Sequence, residues 1–270
     1  MNLSVILITR NEAHHVEACL RSVDFADEWI VVDSDSSDGT REVAARFGAK
    51  VTTTHDWPGF GAQKNRALAL AQGRWVLSID ADERVSDELA AQIRRVVAAD
   101  TSAQEPPASS PDGSHAVAGY QLSRLSSFCG QWMRHGDWYP DRVTRLFRRG
   151  QARFTDDLVH ERLDVKGKVE RLKGDLLHDT MPSLDDALDK MNRYSSGRAV
   201  DKVKAGKRGS LFAALTHGWW AFMRCYIVKR GFLDGQLGLV LAIYQAEGTY
   251  YRYLKMNLLA RQAGKSIEPI

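Results

Sequence analysis

The sequence predicts an α/β fold: a mostly parallel central sheet with flanking helices, followed by a helical C-terminal extension. Three observations predict it. The first hundred residues alternate short apolar runs with stretches of helical apolar spacing. One of these runs, Trp75-Val-Leu-Ser-Ile-Asp80, ends abruptly in the carboxylates of Asp80, Asp82 and Glu83. From Leu184 onward the spacing turns helical and stays so, interrupted by glycines.

The elements follow in order. Residues 3–9 form a continuously apolar strand of the kind buried on both faces. Residues 12–22 are helical, with Val16, Cys19, Leu20 and Val23 at helical spacing. A strand at 29–33, a helix at 39–47, a strand at 50–54, a helix at 62–71 and a strand at 74–80 complete the alternation, and a helix at 86–99 follows. Short connections between alternating elements imply right-handed βαβ units and a parallel sheet. Residues 100–114 lack Val, Ile, Leu, Met and aromatics and hold three of the seven prolines, which predicts a disordered surface loop. Residues 116–124 and 142–148 read as antiparallel strands of the same domain. The expected organisation is a catalytic domain over 1–180 and a basic, aromatic-rich helical extension over 181–270, with no internal repeat.

With 270 residues, the chain is long enough for a full core, and 44% hydrophobic with 26% charged residues is ordinary for a soluble protein. Cys19, Cys129 and Cys225 are far apart without Cys-x-x-Cys spacing, which argues against a zinc or disulfide framework and fits a reducing, cytoplasmic setting. The N-terminus has no basic segment ahead of its apolar run, and no stretch reaches 18 apolar residues without a charge, so neither a signal peptide nor a spanning helix is expected. The net charge of +3 hides an asymmetry. Between Lys190 and Lys265 stand 14 Lys and Arg against Asp201, Asp234 and Glu247, so the rest of the chain is acidic. A basic tail points to a polyanionic partner or an anionic membrane surface.

Ligands of open α/β sheets bind beyond the carboxyl ends of the strands. Three polar clusters should meet there: Thr9-Arg-Asn-Glu12, Asp33-Ser-Asp-Ser-Ser-Asp-Gly-Thr40 and Asp80-Ala-Asp-Glu83. Taken alone, Asp-x-Asp is also what an acidic turn ahead of a helix looks like. No Gly-x-Gly-x-x-Gly or Gly-x-x-x-x-Gly-Lys loop is present, which removes support for dinucleotide and P-loop readings. Without a glycine cradle, a nucleotide diphosphate needs a divalent metal and cationic side chains.

The motifs Ser4-Val-Ile-Leu-Ile-Thr-Arg-Asn-Glu12, Ile30-Val-Val-Asp-Ser-Asp-Ser-Ser-Asp-Gly-Thr40, Gly61-Ala-Gln-Lys-Asn-Arg-Ala67 and Leu77-Ser-Ile-Asp-Ala-Asp-Glu83 resemble those of the family 2 glycosyltransferases, which have the GT-A fold. With Arg145-Leu-Phe-Arg-Arg, Asp157-Leu-Val-His-Glu161 and Gly231-Phe-Leu-Asp-Gly235, the chain resembles the bacterial lipopolysaccharide core β-1,4-glucosyltransferase group. The resemblance implies that Thr9, Asn11, Glu12 and Asp33 line the nucleoside pocket. Ser34 stands where many relatives have a second Asp, so Ser34 or Asp33 would supply that contact. Lys64 would meet the diphosphate, while Asp80, with Ala81 beside it, would contact ribose or metal. Asp82 would be the main ligand of Mg²⁺ or Mn²⁺, with His178 completing the metal shell. Glu83 is expected to be a bystander.

The resemblance further implies inversion by a single displacement, with a carboxylate as general base. Glu161 is the first candidate, Asp157 the second and Asp156 the third; helix capping or an ion pair with Arg162 would account for the same residues without catalysis. His160 is expected to orient the base or meet the acceptor. Ten of the 24 aromatics fall between Phe212 and Tyr253 and interleave with Arg224, Lys229, Arg230, Arg252 and Lys255. Such helices suit a membrane interface or an amphipathic, lipid-linked acceptor; packing on the catalytic domain or on a second copy of the chain would show the same composition. Nucleic acid ranks last, because no recognition motif appears. The expected function is transfer of a hexose, glucose from UDP-glucose, to a lipid-linked acceptor such as lipopolysaccharide inner core. The alternatives are a sugar nucleotidyltransferase, which would need a glycine-rich turn after the first strand, and a non-catalytic sugar-nucleotide-binding or membrane-associated protein.

Overall fold

A computed structural model describes residues 1–102, 117–155 and 162–265. The chain forms two compact units, one of residues 1–124 and 141–178, the other of residues 125–140 and 179 onward.

The first unit opens with β1 (Leu3–Thr9), α1 (Val16–Arg21), β2 (Glu28–Asp33), α2 (Thr40–Phe47), β3 (Lys50–Thr53), α3 (Phe60–Leu70) and β4 (Trp75–Ser78). The four strands are parallel in the order β3-β2-β1-β4, with Ile6 level with Ile30 and Ser78. Both faces of β1, β2 and β4 are covered, which is why these strands read as mostly apolar runs; β3, at the edge, alternates exposed Lys50 and Thr52 with half-buried Val51 and Thr53. Leu3, Val5, Leu7, Val31, Trp75 and Leu77 face Val16, Cys19, Leu20, Leu89 and Ile93. The alternate residues Ile6, Ile30, Val32 and Val76 pack with Ala67, Ala71 and Phe147 on the other side.

After β4 the chain makes β5 (Glu83–Val85), α4 (Asp87–Ser102), β6 (Val117–Phe128), β7 (Gln131–Trp132), β8 (Asp141–Arg148), β9 (Ala152–Phe154), β10 (Leu163–Val165) and β11 (Lys168–His178). β8 lies antiparallel to β4 and to β6, as expected for 116–124 and 142–148. The sheet continues through β11 to β5, while β9 and β10 pair separately.

Several boundaries differ from the sequence reading. The first helix starts at Val16 and not at Glu12, because the Glu12 carbonyl accepts from both His15 N and Val16 N in a preceding turn. The fourth strand ends at Ser78, and Asp80 lies in a turn closed by Glu83 N donating to Asp80 O at 2.9 Å. Asp100, expected in the loop, belongs to α4, and its carboxylate accepts from Arg148 Nη1 at 2.8 Å and Trp75 Nε1 at 3.2 Å. The rest of the loop expected to be disordered, residues 103–114, lies outside the described residues.

Gly174 shows how tightly β11 presses on α4. Its φ is +90°, and a Cβ there would stand 2.4 Å from Leu89 N, in helix backbone that cannot yield. Gly174→Ala is therefore expected to cost more than about 2 kcal/mol, since left-handed strain and a backbone clash add. A urea melt showing less than half that loss would contradict the packing.

The second unit contains the far end of β6, β7, α5 (Leu184–Lys204), α6 (Leu211–Met223), a π-helical turn (Arg224–Val228), a 3₁₀ turn (Gly231–Asp234) and α7 (Gly235–Lys265). Residues 125–140, expected in the first domain, group with these helices because Phe128 and Met133 are buried among Met181, Ala187, Cys225, Leu241 and Ala242. Ser183 caps α5 by accepting from Asp186 N, and Ser210 caps α6 by accepting from Ala213 N. α5 and α6 both pack on α7. Ala214 and Gly218 form the buried face of α6, and a Cβ on Gly218 would sit 3.2 Å from Tyr250 Cβ. No helix among the described residues is long and apolar enough to cross a membrane.

Candidate donor and metal site

The loops after β1 and β2 are stitched together by short polar side chains. Asp33 is fully buried, with Oδ2 accepting from Thr9 Oγ1 at 2.8 Å and Oδ1 from Ser36 N at 2.8 Å. Asn11, at φ +57°, accepts from Ser37 N, while its own N–H donates to Ser36 Oγ. Glu12 N donates to Thr40 Oγ1. Ser34 is buried and accepts from Gln63 Nε2 at 3.0 Å. Thr9, Asn11, Glu12, Asp33 and Ser34 thus do come together. Asp33 and Asn11 spend much of their hydrogen-bonding capacity on loop shape, which is one way to preorganise a pocket.

Beside these loops lies a charge network. Asp80 Oδ1 stands 3.1 Å from Lys64 Nζ, and Asp80 Oδ2 accepts from Arg145 Nη2. Arg145 Nη2 also donates to Glu83 Oε1 at 2.8 Å, and Glu83 Oε2 accepts from Asp80 N at 3.0 Å. Arg124 Nη1 stands 3.5 Å from Glu83 Oε1. Glu83 is fully buried; Lys64 and Arg145 are nearly so. Burial alone would raise the Asp80 pKa, but Arg145 and Lys64 overcome it and hold the carboxylate well below its ordinary range. Arg145 is correspondingly pushed above its usual value by Asp80 and Glu83, against the effect of burial. Glu12 moves the other way, raised first by burial and further by the charge on Asp82.

Asp82 and His178 form a separate pair. β5 lies antiparallel to β11 with His178 opposite Glu83, one residue from Asp82. His178 Nε2 stands 3.2 Å from Asp82 Oδ2. Adjacent ligand atoms on an octahedral ion with bonds of about 2.1 Å are separated by about 3.0 Å, so the two atoms fit one Mg²⁺- or Mn²⁺-sized ion. An imidazole beside a carboxylate suits Mn²⁺ better than Mg²⁺. Among the described residues no group of three or more His, Cys, Asp or Glu is arranged to hold a metal ion, and Asp82 and His178 would supply two ligands at most. Asp80 differs: both its oxygens already face cations.

Three residues of this region escape a sequence reading. Glu83, expected to be a bystander, is the buried link between Arg145 and the Asp80 backbone. Arg145 had a detectable signal. On β8 it stands directly before the buried Leu146 and Phe147, and a buried arginine needs acids opposite. Gln63, which bridges Ser34 and Thr54 Oγ1, had none. Glu161, Asp157, Asp156 and His160 lie outside the described residues.

The sequence pattern described as "Glycosyl transferase family 2" matches residues 4–151, which include both loops, Lys64, Asp80, Asp82 and Arg145. The chain belongs to glycosyl transferase family 2. An uncharacterized glycosyltransferase of Rickettsia conorii is 32% identical, with 98% of this chain and 92% of the relative covered. The lipopolysaccharide core biosynthesis glycosyltransferase LpsC of Rhizobium meliloti is 28% identical, with 93% of each chain covered. Among solved structures, the mannosyltransferase PcManGT of Pyrobaculum calidifontis, in complex with GDP-Man and Mn²⁺, matches with a TM-score of 0.48 at 16% identity, over 99% of this chain and 81% of that one. The first unit has the GT-A arrangement of a family 2 transferase, and the family makes the chain an enzyme, a glycosyltransferase.

Proposed function

We propose that this family 2 enzyme transfers glucose from UDP-glucose to a lipid-linked saccharide acceptor of the lipopolysaccharide inner-core type, with inversion and with a divalent cation. It would work at the cytoplasmic face of the inner membrane. The observation that carries the metal-dependent reading is the Asp82–His178 pair, 3.2 Å apart beside the Lys64–Asp80–Arg145 network. The similarity to LpsC, a lipopolysaccharide core enzyme by name, supports the acceptor class.

Thr9, Asn11, Glu12, Asp33 and Ser34 would form the nucleoside pocket through the loops they hold. Asp80 would meet the ribose, with Ala81 next to it. A cation between Asp82 and His178 would neutralise the charge developing on the leaving diphosphate. Lys64 and Arg145 keep positive charge fixed beside that position. Lys64 is clasped between Asp80 and the Phe154 ring, 5.7 Å from its centroid, so its ammonium cannot swing away into water. Glu161, or Asp157 after it, would take the acceptor hydroxyl proton as the hydroxyl attacks the anomeric carbon.

A thermal-shift panel of UDP-, GDP- and dTDP-sugars with and without Mn²⁺ tests this reading. UDP-glucose at about 100 times its dissociation constant should stabilise the fold by about 2.7 kcal/mol, and only with Mn²⁺. Asp82→Asn and His178→Ala should each remove the Mn²⁺ requirement together with most of the shift. A full shift in both variants would end the metal assignment; no shift with any nucleotide sugar would end the donor assignment.

A further inference from the structure

The second unit exposes an apolar face that its own packing does not explain. Ala214 and Gly218 turn one side of α6 towards α7. On the rest of that helix Leu211, Phe212, Leu215, Trp219 and Trp220 are exposed, Phe212 by 76% and Trp219 by 64%. Past the helix, Ile227 and Val228 of the π-helical turn and Phe232 and Leu233 of the 3₁₀ turn are exposed as well. So many large apolar side chains exposed within one short stretch mark an interaction surface.

Charge says what covers it. From Lys202 to Leu233 the sequence carries Lys202, Lys204, Lys207, Arg208, Arg224, Lys229 and Arg230 and not one Asp or Glu. Lys204, Lys207 and Arg208 are exposed ahead of α6, and Lys229 and Arg230 beyond it, so cations flank the apolar face at both ends. Asp137 pairs with Arg224 at 2.9 Å and with Lys229 at 3.0 Å, which leaves the group strongly positive. A second copy of the chain seated on the same face would bring two such groups together, which like-charge repulsion opposes. An anionic lipid surface satisfies both features at once, because it takes up the aromatic side chains and attracts the flanking cations. The 13 residues of α6 span about 20 Å, short of the roughly 30 Å of a bilayer core, so the helix would lie in the interface and not cross it.

We propose that the outward face of α6 and the two turns after it, centred on Phe212, Leu215, Trp219, Ile227 and Val228, is a docking surface for anionic phospholipid. It rests on the membrane part of the function proposed above and names the surface responsible. Docking through this face would leave the acceptor's lipid anchor and the enzyme in one plane.

The full chain should be centrifuged with vesicles of pure phosphatidylcholine and with vesicles containing 30% phosphatidylglycerol, at low and at physiological salt. Binding to the anionic vesicles is expected, with a blue shift of tryptophan emission, and no binding to the neutral ones. Phe212→Ser combined with Trp219→Ser, both at exposed positions, should weaken binding by about tenfold or more. Lys207→Glu with Arg208→Glu should weaken it and flatten its salt dependence. Unchanged binding in both double variants, or equal binding to neutral vesicles, would overturn the proposal. So would a dimer in sedimentation that the Phe212/Trp219 variant dissolves. Mn²⁺-dependent UDP-glucose hydrolysis without vesicles reports separately: its absence in the unaltered protein strikes the donor reading and leaves the lipid result standing.

Discussion

Replacing Arg145 by methionine is expected to destabilise the protein by about 3–5 kcal/mol, the usual cost of leaving a buried charge without its partner. The charge left behind is Glu83, which is fully buried and, among the described residues, would retain the Asp80 N–H at 3.0 Å and the Arg124 guanidinium at 3.5 Å. Asp80 would keep Lys64 alone. Arg145→Lys should recover part of the loss, since an ammonium cannot reach Asp80 and Glu83 together as one guanidinium nitrogen does here. The pH dependence has a definite sign. The Asp80 carboxylate is held below its ordinary range by Arg145 and Lys64, against burial. Its contribution to stability is therefore complete above an unfolded-state pKa of about 3.9 and is lost only as pH falls towards the lower folded value. The gap in stability between the parent and Arg145→Met should be widest near neutrality and narrow in acid. Urea melts at pH 7 and pH 3 measure it. A loss under about 1 kcal/mol at pH 7 would show that the network contributes little.

The second large effect is kinetic. If Glu161 takes the acceptor proton, Glu161→Gln should lower kcat by about 10²–10⁴-fold while leaving the UDP-glucose dissociation constant within about twofold. Asp157→Asn should then cost much less. The reverse ranking would move the base to Asp157, and equal small losses would remove both. Because glutamine keeps the size of the side chain, an intact melting temperature would tie the loss to proton transfer.

The parallel half of the fold was legible because its physics is local. β1, β2 and β4 are mostly apolar runs, and a run buried on both faces has few alternatives, while the short edge strand β3 was legible from the alternation around it. The placement of the candidate residues was legible to the same depth: Asp80 and Asp82 follow the apolar run of β4, Thr9 ends the neighbouring β1, and Asp33 ends β2 beyond it. What stayed hidden depends on pairings between distant segments. β5 has three residues, too short to show a period, so its pairing with β11 was not legible, and His178 beside Asp82 was implied by the resemblance alone. Glu83 looked like part of an exposed acidic run, and only the cations arriving on β6 and β8 make its burial affordable. The boundary near residue 125 was invisible for another reason. β6 is one continuous strand whose first part serves one unit and whose Phe128 serves the other.

The β5–β11 pairing also sets the order in which a newly made chain could acquire its chemistry. The four parallel strands and the helices between them are complete once β4 has emerged, and α4, next in the chain, brings Leu89 and Ile93 to the face they share with α1. The imidazole that faces Asp82 arrives only when β11, the last strand of that unit, docks between β6 and the edge strand β5. A nascent or truncated chain ending before Lys168 would carry the Asp-x-Asp turn without its histidine. Ion capture would then be among the last properties to appear during synthesis, and metal affinity would report on whether the entire first unit has closed.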